Sequence, residues 1–283
     1  MRTTVGRVPP HAWFAVSAVF HYLGPAFAVL LFARVDALGV AWLRIASAGL
    51  VFALWRRPWT VLGRLDRGAR GVVLAWGAVL AAMNTCFYLA IDRLPLGTVA
   101  AIEFLPVVAL AALGSRTRRN VAALVVAGAG VWLLTDVHLV GQPAGFAFAA
   151  ANAVLFAGYI VLGHRVAQSE LPGIDALGLA MLVAAVVALP VGIGSAAPAF
   201  TDPVALAAAV GVVLASSVVP YVCDQLAMGR LSRGAYALLI SLLPATATVI
   251  GVAVLAQVPS PAELLGVLLV VAGVGLRREP SPP

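Results

Sequence analysis

Ala90-Ile91-Asp92-Arg93-Leu94-Pro95-Leu96-Gly97 decides the reading of this chain, because Ala227-Met228-Gly229-Arg230-Leu231-Ser232-Arg233-Gly234 repeats its outline. Each octet joins two long apolar runs. Arg, Leu and Gly recur at matching positions, and Cys86 then falls on Cys223. Val125-Val126-Ala127-Gly128 is echoed in the same way by Val270-Val271-Ala272-Gly273. Apolar helices rich in small residues can resemble one another by chance, so each match is weak alone. Together they suggest one unit used twice.

Working outward, ten apolar segments fit membrane spans: 12–33, 36–55, 71–91, 97–114, 120–136, 144–163, 175–195, 204–228, 235–256 and 262–276. A helix needs roughly 20 apolar residues to cross about 30 Å of hydrocarbon. Of the 283 residues 63% are hydrophobic and only 10% charged, a balance that a soluble core cannot absorb but a bilayer can. Arg2 and Arg7 before the first segment resemble the start of a signal peptide, yet nine further spans argue that this segment stays as an anchor.

All 18 basic residues are arginines, and the net charge is +7. They form no single patch, which argues against nucleic acid as a partner. Instead they fall before span 1 and after spans 2, 4, 6, 8 and 10, while the opposite loops carry only Arg34 and Arg93. This is the positive-inside pattern, and it puts both termini in the cytoplasm. Five spans is an odd number, so the second copy must be inserted upside down. The expected fold is therefore all-α: ten transmembrane helices in two inverted five-helix repeats, 12–136 and 144–276. Such repeats recur in secondary transporters, with substrate held near mid-membrane. The cysteines should lie roughly 15 Å apart in depth, too far for a disulfide.

Ionisable groups inside a membrane are costly and are functional suspects by default. Arg44 sits in span 2, Glu103 in span 4, His21 in span 1, Asn84 and Tyr88 in span 3, and Asn152 in span 6. Arg44, Glu103, Asn84 and Asn152 each lie six to eight residues from the outer helix ends, roughly 9–12 Å deep. That common depth suits one polar layer and a zwitterionic substrate. The structural alternatives stay open: Arg44 and Glu103 could pair and hold two helices together, and the asparagines could bond between helices. Tyr22, Trp13, Trp55 and Trp59 read as interfacial anchors. Pro25, Pro106, Pro220 and Pro244 each free the carbonyl four residues earlier. Phosphate-loop, zinc-protease and serine-nucleophile motifs are absent, and the four histidines are scattered. No enzyme, metal or cofactor is expected. Gly128-Ala129-Gly130 would permit close contact with a second copy.

His21-Tyr22-Leu23-Gly24-Pro25-Ala26, Leu43-Arg44, the run from Met83 through Cys86-Phe87-Tyr88 to Ile91, Leu94-Pro95-Leu96-Gly97, Ala101-Ile102-Glu103-Phe104 and Pro220-Tyr221 resemble the drug/metabolite transporter superfamily. The likeness is to its EamA branch, and there to the bacterial threonine/homoserine exporters. It implies a bacterial inner-membrane exporter of small hydrophilic metabolites, amino acids above all, driven by the proton gradient. In that setting Arg44 is expected to bind the substrate carboxylate and Glu103 to carry the proton. Two positions depart from the pattern. Leu243-Pro244 stands where a glutamate usually precedes the proline, and Ala256-Gln257 replaces a Gly-Glu pair. The rival expectation is a multidrug or lipid-handling protein of the same fold, whose substrate would need neither charge.

Overall fold

The computed structural model describes residues 9–63, 65–114, 117–138, 142–167, 173–213, 215–216, 219–220, 223 and 242–276. Among these, all regular structure is helical: α1 (Pro10–Leu31), α2 (Ala37–Arg56), α3 (Trp59–Leu62), α4 (Arg67–Ile91), α5 (Leu96–Gly114) and α6 (Arg118–His138). Then follow α7 (Pro143–Ala167), α8 (Gly173–Thr201), α9 (Pro203–Val213), α10 (Leu243–Leu255) and α11 (Pro261–Leu276). His11–Leu31, Ala37–Arg56, Arg67–Ile91, Pro143–Gly163 and Asp175–Thr201 are long and apolar enough to cross a membrane. The chain is a multi-pass membrane protein.

The helices run past several expected ends. The seventh span was expected over 175–195, but α8 continues through Pro190 and Pro198 to Thr201. A proline removes one backbone donor, whereas ending a helix in hydrocarbon would strand several groups. Pro244 differs in the other direction, because it sits in the first turn of α10 and starts that helix instead of breaking one. The last part of the eighth expected span (224–228) and the first part of the ninth (235–241), with Asp224 and Ile240, lie outside the described residues.

The chain divides into two compact units, each taking helices from both sequence halves: 1–27, 94–143 and 214–283 in the first, 28–93 and 144–213 in the second. The spine of the second unit is the antiparallel pair α2–α8. A Cβ on Gly39 would lie 2.4 Å from the Ser195 carbonyl, one on Gly49 3.3 Å from that of Met181, and one on Gly192 2.2 Å from Trp42 Cβ. Only glycine lets the backbones approach so closely. Trp42 Nε1 adds a bond to the Ala185 carbonyl at 3.0 Å.

An ion pair closes each end of this spine. Arg34 meets Asp202 at 2.5 Å and Arg56 meets Asp175 at 2.8 Å. α2, from Ala37 to Arg56, rises roughly 29 Å, about the thickness of a hydrocarbon core, and Arg34 stands in the turn just before it. The two pairs thus stand about one membrane thickness apart, as charges flanking a span do. Asp202 also caps α9 through the backbone N–H groups of Val204 and Ala205. The Arg34 hydrogen bond and then the Ala205 N–H hold its carboxyl below the usual range. Trp55 and Trp59 are exposed at the same end as Arg56, as interfacial anchors should be.

α4 lies against this spine, with Gly77 facing Val183 and Ala180. α7 packs on α4, where Trp76 and Tyr159 stack with centroids 5.5 Å apart. In the first unit α6 and α11 form a second antiparallel pair: Gly130 abuts the Gly266 carbonyl and Gly273 abuts that of Ala123. Arg119 Nε donates to the Leu276 carbonyl at 2.7 Å. Gly130 is therefore spent on contact within the chain, while Gly128 faces open space. α5 packs beside α10, Gly97 against Thr248. A reciprocal capping box, Ser260 with Glu263, starts α11.

Two glycines of α8 provide the test of this architecture. Gly192→Ala forces a methyl against Trp42 and should cost about 1–3 kcal/mol through overpacking. Gly194, with nothing within 4 Å of an added Cβ, should accept alanine neutrally or gain up to about 1 kcal/mol. Thermal unfolding of the two purified variants in detergent measures the difference. Equal midpoints would contradict the close α2–α8 contact.

Candidate functional site

Arg44 stands in the middle of α2, one turn from the glycine contacts and two residues beyond Trp42, so its backbone is fixed by the α2–α8 spine. Its side chain is half-buried. Opposite, Asn84 and Tyr88 project from one face of α4, as an i, i+4 pair does. Arg44 Nη1 donates to Asn84 Oδ1 at 2.5 Å, and the guanidinium carbon sits 5.7 Å from the centroid of the Tyr88 ring. Asn84 Nδ2 donates back to the Leu80 carbonyl at 2.9 Å. That second bond fixes the amide, leaving its oxygen, the acceptor, turned to Arg44.

Aromatic rings surround Tyr88. Tyr88 is fully buried, with Phe32 edge-on at 6.2 Å and Phe87 at 5.8 Å. Electrostatically the surroundings of Arg44 are one-sided. The described carboxylates of this unit all stand at helix ends: Asp36 before α2, Asp66 capping α4, Asp92 beside Arg93, Asp175 on Arg56 and Asp202 on Arg34. Among the described residues of the unit, Asn84 is the hydrogen-bond acceptor that Arg44 uses. A guanidinium carries five N–H donors in a planar fork, so an anionic oxygen pair finds further donors there. Asn152, fully buried on α7, belongs to the same unit.

Glu103 and His21 fall in the first unit. Glu103 is half-buried on α5, one turn before Pro106. Its charge acts electrostatically on Tyr22 of α1. Tyr22 is 1% exposed, which corrects its reading as an interfacial anchor: it is a core residue. His21 is exposed on α1 and meets Tyr22 edge-to-face at 5.3 Å. The structure thus brings Arg44, Asn84 and Tyr88 together in one unit, and His21, Tyr22 and Glu103 in the other.

The Ser17 and Ser216 hydroxyls near Pro25 and Pro220 were not among the residues the sequence singled out. Ser17 Oγ donates to the Pro220 carbonyl at 3.3 Å, and Gly24 lies so close to Ser216 that an added Cβ would overlap its hydroxyl. Ser17 and Gly24 share one helix face at a seven-residue spacing, and that pattern of small buried residues was the available signal. Gln257, one of the two departures from the family pattern, accepts the Leu96 N–H at 3.0 Å and caps the start of α5. Cys86 and Cys223 form no disulfide.

These arrangements meet known proteins over nearly their whole length. The EamA-like transporter family matches residues 143–277. The threonine/homoserine exporter RhtA of Salmonella typhimurium strain LT2 is 31% identical over 269 residues, spanning 91% of this chain and 89% of that protein. Its namesake in Escherichia coli K12 is 32% identical over 253 residues, 88% of this chain and 84% of that one. A solved crystal structure with 19% identity superposes at a TM-score of 0.58 over 94% of this chain and 96% of its own, a likeness of fold. With close relatives over about nine-tenths of its length, this chain belongs to the EamA-like transporter family.

Proposed function

We propose that the protein is a secondary exporter of small amino acids or closely related metabolites, working by alternating access in a bacterial inner membrane. The carrying observation is the 31–32% identity to threonine/homoserine exporters across 88–91% of the chain. Arg44 supports it from the residues upward. A planar guanidinium, held by Asn84 and backed by Tyr88, suits bidentate capture of a substrate carboxylate. Lysine could not reproduce that fork.

Glu103 is the proposed proton carrier. It is a half-buried carboxyl within a membrane helix, and acidic groups at such positions mark proton relays in transporters. Tyr22 lies within its electrostatic reach. Arg44 and Glu103 as a purely structural pair is the competing role for these residues.

The ten spans in two inverted repeats, 12–136 and 144–276, belong to the same proposal. Helices of equal rank in the two halves are partners: the second with the second (α2–α8), the fourth with the fourth (α5–α10), the fifth with the fifth (α6–α11). The α2–α8 and α6–α11 pairs are antiparallel, as an inversion about an axis in the membrane plane requires. With both termini cytoplasmic, reporter fusions at Ser281 and in the 64–70 loop should read inside and one near Gln142 outside. One reversed signal would mean a miscounted span.

Overexpression should protect cells from toxic threonine or homoserine and should not protect them from lipophilic cations. Resistance to the cations alone would overturn the reading in favour of a multidrug protein. Glu103→Gln keeps shape and hydrogen-bonding reach but cannot carry a proton. It should insert at normal abundance, lose gradient-driven export and retain exchange. Loss of the protein from the membrane would instead mark a structural pair, and full export would end the coupling role.

A further inference from the structure

We propose that Asn84 is an intramolecular stand-in for the substrate carboxylate, occupying Arg44 when the site is empty and exchanging with substrate during export. The inference rests on the reading of Arg44 as the carboxylate-binding residue. The Asn84 amide is 7% exposed, Nδ2 is tied to Leu80 within its own helix, and Oδ1 meets Arg44 Nη1 at 2.5 Å. The oxygen sits where one carboxylate oxygen of a bidentate ligand would.

The physical need is specific to a transporter. A guanidinium inside a membrane protein must keep an acceptor at every stage, because an uncompensated buried charge is strongly destabilising. The described carboxylates of the unit are all at helix ends, 8 or more residues along the chain from Arg44, and most are committed to other partners. A neutral amide oxygen fills the gap without competing too well. A carboxylate adds an opposite charge and a second parallel N–H···O bond to the guanidinium fork, neither of which the neutral amide oxygen can supply, so a substrate carboxylate displaces the amide on arrival. Once the substrate leaves, the amide returns and no bare cation remains. A carboxylate fixed at the same place would satisfy Arg44 permanently and never yield.

Asn84 as a mere positioning residue makes the opposite forecast, since aspartate preserves the acceptor and tightens the bond. The test uses the full-length protein in proteoliposomes, with labelled threonine counterflow giving half-saturation and maximal rate. Asn84→Asp should reconstitute at normal yield, yet transport at least about tenfold more slowly at neutral pH, with partial recovery in acid where aspartate becomes neutral. Asn84→Leu, which removes the competitor and keeps the bulk, should lower the half-saturating concentration several-fold and also lower the maximal rate. An Asn84→Asp protein with unchanged kinetics, or an Asn84→Leu protein whose half-saturation rises, would overturn the exchange. Arg44→Gln separates the two levels. If it transports normally, the reading of Arg44 itself fails. If it is inactive while Asn84→Asp is indifferent, only the stand-in fails. Absence of threonine counterflow in the unmodified protein would overturn the functional reading and the exchange with it.

Discussion

The close antiparallel contact of α2 with α8 is the constraint on which the second unit depends. Lipid tails are as apolar as leucine, so burying apolar side chains gives helices little reason to associate within a bilayer. What remains is close van der Waals approach, and glycines at positions 39, 49 and 192 supply it by letting one backbone lie on the other. The Arg34–Asp202 and Arg56–Asp175 pairs then fix the register at the two membrane faces. Each pair is partly exposed and worth little alone. Their value is positional, since a slip of one turn would separate both at once.

That register determines what Arg44 can do. Trp42 is pinned to the Ala185 carbonyl, so the arginine two residues on has a defined starting point. α4, held by Gly77 against α8, brings Asn84 and Tyr88 to meet it. A charged group in a membrane is tolerable only where neighbours replace water, and here the replacements are an amide oxygen and a ring face. Both are weaker partners than a carboxylate. On the proposed reading, that leaves the arginine stable enough to exist and with donors to spare for a carboxylate, which is the balance a carrier needs.

Much of this was legible in the sequence, and the rest was not for identifiable reasons. Apolar runs located the spans because hydrocarbon thickness sets helix length. Arg44, Asn84 and Glu103 stood out because their residue types are expensive where they lie. Spacing along one chain cannot show which helices touch, so Arg44 was weighed against Glu103 while its visible partner is Asn84. Tyr22 read as an anchor since tyrosine is common at interfaces, and only its near-complete burial beside Glu103 revealed otherwise. The seventh span was expected to end at 195, but α8 runs through Pro198 to Thr201, because a bilayer penalises ending a helix more than kinking it. Gln257 looked like a lost acidic group. Its amide is instead engaged at the first turn of α5, a role that no local pattern announces.

The central claim is that Arg44 recognises a carboxylate. Thermal unfolding of the purified protein with threonine and with threonine amide tests it most directly. The two ligands share size, hydroxyl and ammonium group and differ in the negative charge. The account predicts a rise in melting temperature with threonine, none with the amide, and no rise with either once Arg44 is changed to Gln. Equal stabilisation by threonine and its amide, or stabilisation by threonine that persists without Arg44, would contradict it.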